Sequence, residues 1–241
     1  MRALVFSAAA GLFLAAATPA LSHSHNAIGY VVRLNNLDYG GSSAGDRFSW
    51  GLDARVGTYD HRLLFRTEGE QIRGQTERAE IQLFYNRPIS EFWDVNVGWR
   101  RDFFRTNRNY AAFGFSGIAP YFVEVEATGY VSEEGVLSGR LELSTELLVA
   151  RSIFNDNGPG LYLKPAIELN ASAGNDRELE VRRGLTNVEM SLQLRYEFTP
   201  QIAPYVEVGW ERQLGETANA SRASGERISN TYAVIGIRSL F

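Results

Sequence analysis

The sequence predicts an all-β fold, a transmembrane antiparallel up-and-down β-barrel of about 12 strands. Three observations predict it. Apolar residues recur at every second position along segment after segment, the period of a strand with one greasy face. The segments reach the roughly 9–11 residues that a tilted strand needs to cross a bilayer, where a strand in a soluble sheet usually has about 5–6. The connections are mostly short on one side and longer on the other, as in outer-membrane barrels.

The chain opens on an address. Met1-Arg2 is a short positive start, Ala3 to Ala17 an apolar run, and Ala20-Leu21-Ser22 a small-x-small cleavage pattern. Residues 1–22 are therefore expected to be a cleaved signal peptide, 23–27 a short N-terminal segment and 28–241 the barrel, placed in the cell outer membrane after export. Twelve strands are expected at 28–38, 47–57, 62–72, 77–87, 92–103, 110–118, 120–131, 136–149, 160–172, 185–198, 204–214 and 230–241. The alternation is clearest in the tenth, with Val188, Met190, Leu192, Leu194, Tyr196 and Phe198 on one face and Glu189, Ser191, Gln193, Arg195 and Glu197 on the other. Similar splits mark Trp93 to Arg100, Tyr121 to Thr128, Arg140 to Leu147 and Leu161 to Asn170. No long window carries the 3.6-residue apolar period of a helix.

With the N-terminus starting in the periplasm, connections 39–46, 73–76, 104–109, 132–135, 173–184 and 215–229 face outward. The inward turns are short, and three contain Pro88, Pro120 or Pro200; the exception is 150–159, a glycine-rich insertion. Tyr30, Trp50, Tyr85, Trp93, Trp99, Tyr121, Tyr196 and Trp210 fall on the apolar face, several near strand ends, as aromatic girdles do. The chain ends on Phe241 with Ile237, Ile235 and Ala233 at two-residue steps behind it.

Composition removes several functions. There is no Cys, so disulfide frameworks, thiolate metal sites and Cys nucleophiles are excluded. A net charge of −4 argues against nucleic acid as a partner. The mean hydropathy of −0.21 is that of a soluble protein, but a barrel that is apolar on alternate residues averages to the same value. If the apolar faces meet lipid, the opposite faces carry Asp53, Glu68, Glu70, Glu80, Asp94, Asp102, Glu124, Glu126, Glu142, Glu146, Glu168, Glu189, Glu197, Glu207 and Glu211 into the lumen. Arg33, Arg55, Arg66, Arg78, Arg100, Arg140, Lys164, Arg195 and Arg238 face them. Lys164 is the one Lys against 23 Arg, and Arg suits such a lining because its planar fork grips carboxylates at two points and stays charged. The charges are expected to interlock as wall supports, and their acidic excess to favour cations. Glu68, Glu70, Glu80, Glu124, Glu126, Glu207 and Glu211 are the acidic lumen candidates.

The runs at 63–70, 77–90, 92–103, 117–127, 203–212 and 224–231, among them GluArgAlaGluIleGlnLeuPheTyrAsnArgProIleSer and PheTrpAspValAsnValGlyTrpArgArgAspPhe, resemble the copper resistance protein B family in the same order along 46–241. The resemblance implies an outer-membrane barrel of copper resistance and homeostasis that binds or passes copper ions as cargo, with membrane lipid, copper ions and a periplasmic multicopper oxidase as partners. Many members precede the barrel with a Met- and His-rich segment. This sequence departs from that pattern, with two Met and three His in all.

A start at His23 would offer a different ligand set. A free amine, two deprotonated amides and the imidazole of His25 make a square-planar set suited to Cu(II) or Ni(II), so His23 and His25 are the metal candidates. No enzyme is expected. No G-x-S-x-G motif occurs, His61 is the one His within the barrel region and is expected at a turn, and i,i+2 carboxylates such as Glu68 and Glu70 are ordinary barrel lining. The same pattern supports an alternative, a small-solute pore or structural barrel with no metal role.

Overall fold

A computed structural model describes residues 27–151, 160–176, 178–199 and 201–241. The expected signal peptide, His23, His25 and residues 152–159 of the glycine-rich insertion lie outside them. The described chain forms one antiparallel sheet of thirteen segments: β1 (Gly29–Ser42), β2 (Gly45–Gly57), β3 (Arg62–Ile72), β4 (Gln75–Pro88), β5 (Trp93–Asp102), β6 (Arg108–Ala119), β7 (Val123–Ser132), β8 (Leu137–Ser144), β9 (Leu147–Arg151), β10 (Gly160–Ser172), β11 (Gly184–Tyr196), β12 (Ala203–Gln213) and β13 (Ser229–Leu240). Neighbours in sequence pair in order, and β13 returns to β1 to close the barrel. Closure extends to the last residue, because Phe241 and Val32 exchange both backbone hydrogen bonds at 2.8 Å. Among the described residues every strand but the short β9, which pairs with β10 alone, is hydrogen-bonded on both sides, as a sheet in hydrocarbon requires.

β8 and β9 are two halves of a single stave, so the barrel has twelve. Both pair with β10, Ser144 opposite Ala166 and Leu147 opposite Leu163. The break at Thr145 and Glu146 falls across from Pro165, which has no N–H to donate to a ladder. Freed from the ladder, Glu146 turns inward to Arg195 at 2.9 Å and Arg238 at 3.6 Å.

The molecule is inside out relative to a soluble protein. Leu63, Phe65, Leu83, Val97, Phe113, Met190, Leu192, Val206, Val208 and Ile235 are exposed on the outer wall, while Arg47, Arg66, Glu70, Glu80, Gln82, Arg140 and Arg195 are buried within. Trp50 lies on the outer wall over Gly69, where a Cβ would collide with its indole ring. Inside, Leu64, Phe84, Tyr110, Ala112 and Tyr130, from β3, β4, β6 and β7, form a small core, and Tyr205, Tyr232 and Val234 on β12 and β13 are buried as well.

Three features differ from the sequence expectation. The connection expected at 39–46 shrinks to Ser43 and Ala44, because β1 and β2 keep pairing through Gly40, Gly41 and Asp46, which carry no apolar alternation. The 215–229 connection contains a helix, α1 (Gly215–Ala223), where none was expected. It has two turns and buries Thr217, Ala218 and Ser221, small side chains that leave no apolar stripe to read; its seat is fixed by Leu214 N–H donating to Thr186 at 2.8 Å and by Arg182 N–H donating to Thr217 Oγ1 at 3.0 Å. Third, β1 carries a bulge at Asn35. Arg33 pairs with Asp53, yet after the shift Asp38 pairs with Ser49, so the inward face moves from odd to even numbers. The Asn36 amide fills the space where a Cβ on Gly51 would stand.

The outer wall gives a direct test. Val208, 55 % exposed midway along β12, should tolerate Val208→Arg poorly. A loss of about 2–4 kcal/mol is expected for a cation at the bilayer midplane, measured by denaturant titration of the barrel folded into phospholipid vesicles.

Candidate functional site

The lumen is organised by arginines that cross it. Arg140 on β8 makes a two-point contact with Glu80 on β4, both bonds 3.0 Å, and Glu80 also receives Arg100 at 2.9 Å. Glu80 is 1 % exposed. Arg66 on β3 grips Glu126 on β7 with both guanidinium ends while its Nε donates to Asp53 at 3.0 Å. Arg47 on β2 binds Glu70 on β3 at 2.8 Å and approaches Glu189 on β11 at 3.8 Å. These contacts tie β2–β4 to β7, β8 and β11, and Arg100 and Arg140 lie over Tyr110 and Tyr130 of the small core.

The remaining space is a cavity of about 660 Å3. Its lining runs from the turn residues Tyr59, Ser90, Glu91 and Phe92, at the end that carries both chain termini, to Arg47, Arg78, Glu168, Glu189 and Tyr232 at mid-depth. Past that level the Arg47–Glu70 and Arg140–Glu80–Arg100 groups fill the barrel. Arg78 is the loosest member of this layer: its side chain is 36 % exposed, and Glu68 and Glu168 hold it only at 3.8 Å each. At the opposite end Arg108, almost wholly buried, binds Asp176 and reaches Glu134 at 3.0 Å and Glu178 at 2.9 Å, joining two loops over the barrel.

Along the β7–β12 wall the register aligns five carboxylates. Glu126 stands opposite Glu142, Glu142 opposite Glu168, Glu168 opposite Glu189, and Glu189 opposite Glu211. Like charges directly across a ladder repel, so each needs a counterweight. Arg66 serves Glu126, Arg78 and Arg140 approach Glu168, and Asn230 donates to Glu211 at 2.9 Å. The Tyr232 hydroxyl lies 2.8 Å from Glu189 and 3.1 Å from Glu207, and the Arg47 guanidinium stacks over its ring at 3.6 Å. The ring lies flat against the wall because Gly209 beneath it has no Cβ. Glu142, second in the row, has no hydrogen bond or ion pair among the described residues.

All seven acidic candidates face the lumen side, in different roles. Glu70 and Glu80 are consumed in ion pairs, and Glu68 sits between Arg140 at 3.4 Å, Arg78 and Arg66. Glu124 is half exposed at the mouth, 3.2 Å from the Ser144 hydroxyl and 3.9 Å from Lys164. Glu207 accepts from Gln193 at 2.9 Å, and only Glu126 and Glu211 belong to the row. The sequence pattern placed Glu142, Glu168 and Glu189 inside without singling them out, because the row exists across strands and not along one. It missed Asp38, which the bulge hides, and Arg47, Arg62 and Arg108 near strand starts; the added bases narrow the acidic excess. His61 is exposed at its turn, against the Tyr85 hydroxyl. Among the described residues no three His, Asp or Glu are placed to hold a metal ion together.

A closed barrel with a lipid-facing apolar wall and a charged, partly filled lumen defines an outer-membrane β-barrel of narrow bore. Its fold is similar to that of the NanC porin, at a TM-score of 0.55 and 15% identity over 88% of this chain and 99% of that one. The KdgM porin matches at a TM-score of 0.50 and 13% identity over 86% and 99%. Residues 28–241 match the family model described as copper resistance protein B precursor. A copper resistance protein B homolog of Pseudomonas syringae pv. tomato (strain ATCC BAA-871 / DC3000) is 38% identical over 86% of this chain and 68% of its own, and copper resistance protein B of Escherichia coli is 34% identical over 90% and 71%. The chain belongs to the copper resistance protein B family, a non-enzymatic family of outer-membrane barrels involved in copper resistance.

The braces and the mouth should differ in energetic weight. Glu80→Gln leaves Arg100 and Arg140 buried with a neutral partner, and a loss of about 3–5 kcal/mol is expected. Glu124→Gln, at a half-exposed 3.9 Å contact, should change stability by less than about 1 kcal/mol. Denaturant midpoints of the two variants in the same detergent check the contrast.

Proposed function

We propose that this barrel draws copper ions into its lumen and passes them at the outer membrane as hydrated Cu(II). The observation that carries the reading is the five-glutamate row on one wall, reached by the cavity and left without a counter-cation at Glu142. A row of carboxylates in a confined, weakly screened space raises the local concentration of cations. It does not favour Cu(I), whose soft ligands are thiolate and thioether, since the chain has no Cys and Met190 faces outward. Without a fixed cage among the described residues, the row suits transit better than storage. Arg78, loosely held beside Glu68 and Glu168, is where an ion would pass the mid-barrel layer.

Copper preference would come from the other candidate pair. A chain cut after Ser22 starts on His23, and with His25 it offers the square-planar set for Cu(II); the strand that follows begins at the end where the cavity opens. A periplasmic multicopper oxidase, the partner that the family implies, would exchange copper at that end.

Vesicles containing the purified mature protein and an entrapped copper-quenched dye test the passage. Quenching on addition of Cu(II) should be faster than in protein-free vesicles. Glu142→Gln, which strips no arginine of its partner, should slow it by a factor of about three to ten. Uptake no faster than in empty vesicles would sink the reading. Mass spectrometry of the mature N-terminus decides the copper-preference part, which requires a start at His23.

A further inference from the structure

One side of the cavity mouth, on β13 and β1–β3, is basic where the depth is acidic, while Glu91 and Glu124 line the mouth elsewhere. Arg62 on β3, Arg55 on β2, Arg33 on β1 and Arg238 on β13 all line it, on four consecutive staves. The register makes them a diagonal run. Arg55 stands opposite Leu64, two residues from Arg62, and Arg33 stands opposite Asp53, two residues from Arg55. Arg238 follows Ile237, which stands opposite Leu37 just past the β1 bulge. Diagonal neighbours on a sheet face lie about 7–8 Å apart at Cα, within reach of two long side chains closing on one small ligand.

The nearby carboxylates pair with the flanks of this run and leave its two middle members unpaired. Asp53 accepts from Arg66 at 3.0 Å, Asp94 accepts from Arg62, one flank, at 2.9 Å, and Glu146 is held by Arg195 at 2.9 Å and lies 3.6 Å from Arg238, the other flank. Arg33 and Arg55 have no hydrogen bond or ion pair among the described residues, although every lumen arginine at mid-depth, Arg47, Arg66, Arg78, Arg100 and Arg140, has at least one carboxylate within 4 Å. Two neighbouring guanidinium groups with free forks, aimed into a cavity, match the two-point geometry of a carboxylate or phosphate.

We propose that Arg33 and Arg55, flanked by Arg62 and Arg238, form a binding site for a small multivalent oxyanion at the terminus-bearing mouth of the lumen. The shared chemistry is that of a polycarboxylate or a phosphate. The site does not rest on copper passage and would stand if that reading failed.

Isothermal titration of the mature protein in dodecyl maltoside micelles, a detergent without phosphate or charge, tests it with citrate and with inorganic phosphate as separate titrants. One-to-one binding of at least one of them is expected in low salt, weakening as sodium chloride is raised. Tighter binding of citrate assigns the site to polycarboxylates, and equal binding assigns it to oxyanions generally. The double variant Arg33→Gln, Arg55→Gln should weaken binding tenfold or more, and Arg55→Lys, which keeps the charge but loses the fork, should weaken it less. Heat-modifiable migration on a gel verifies that each variant is folded. No binding of either anion by the unmodified protein at millimolar concentration overturns the proposal, as does unchanged affinity in a folded double variant.

Discussion

The pairing of arginine with carboxylate across the lumen is the contact on which the rest of this barrel depends. A closed sheet satisfies its own backbone, so hydrocarbon imposes nothing further on the outer wall than apolar side chains. The inner wall is the difficulty. It is too narrow at mid-depth to hydrate all its charges separately, and burying an unpaired charge costs several kcal/mol. Arg140 on Glu80 and Arg66 on Glu126 answer this with forked contacts that reach across strands instead of along them. The same geometry explains the composition, since a lysine ammonium cannot hold two oxygens of one carboxylate in a plane. Lys164, the one Lys, sits at the half-exposed rim, where its contact to Glu124 is 3.9 Å.

Those braces also decide the shape of the open space. Because they run from β3 and β4 to β7 and β8, they close off the space over Phe84, Tyr110 and Tyr130 and leave the β7–β13 side, together with β1–β3, facing the cavity. The glutamate row lies on that open side. A row of like charges is tolerated there for the reason that the braces exist: Arg66, Arg78, Arg140 and Arg47 each extend one guanidinium toward it. Wall support and the proposed cation attraction would thus be two uses of the same charges.

The period-two alternation of β11, from Val188 to Tyr196, was enough to assign its faces, and the lengths of such runs were enough to assign a membrane. What alternation cannot carry is a phase change or a register. The bulge at Asn35 adds one residue and turns Asp38 inward against the parity of Arg33, and its trace in the sequence is a single three-residue step between outward apolar residues, from Leu34 to Leu37. The break between β8 and β9 is signalled only by Pro165, which lies on a different strand and acts through a missing N–H. Helix α1 hides because the face it buries is Thr217, Ala218 and Ser221. The glutamate row needed the register of five strands at once, so each member was legible as lumen-facing while their alignment was not.

Charge along the axis is ordered, and the order constrains how any cation moves. From the terminus-bearing end it meets Arg33 and Arg55 first and the glutamate row second. Bare arginines at a mouth repel a divalent cation before the carboxylates can attract it, and with low-dielectric walls that repulsion is poorly screened. An oxyanion seated on Arg33 and Arg55 would cancel it, so that anion occupancy at the mouth and cation entry to the row become coupled. Coupling of this kind is reciprocal in free energy: a cation held near Glu142 and Glu168 would in turn tighten an anion at the mouth. A lumen with one sign of charge throughout would attract or exclude by concentration alone, whereas with the proposed passage and anion site together cation entry here would be conditional on a second, oppositely charged ligand.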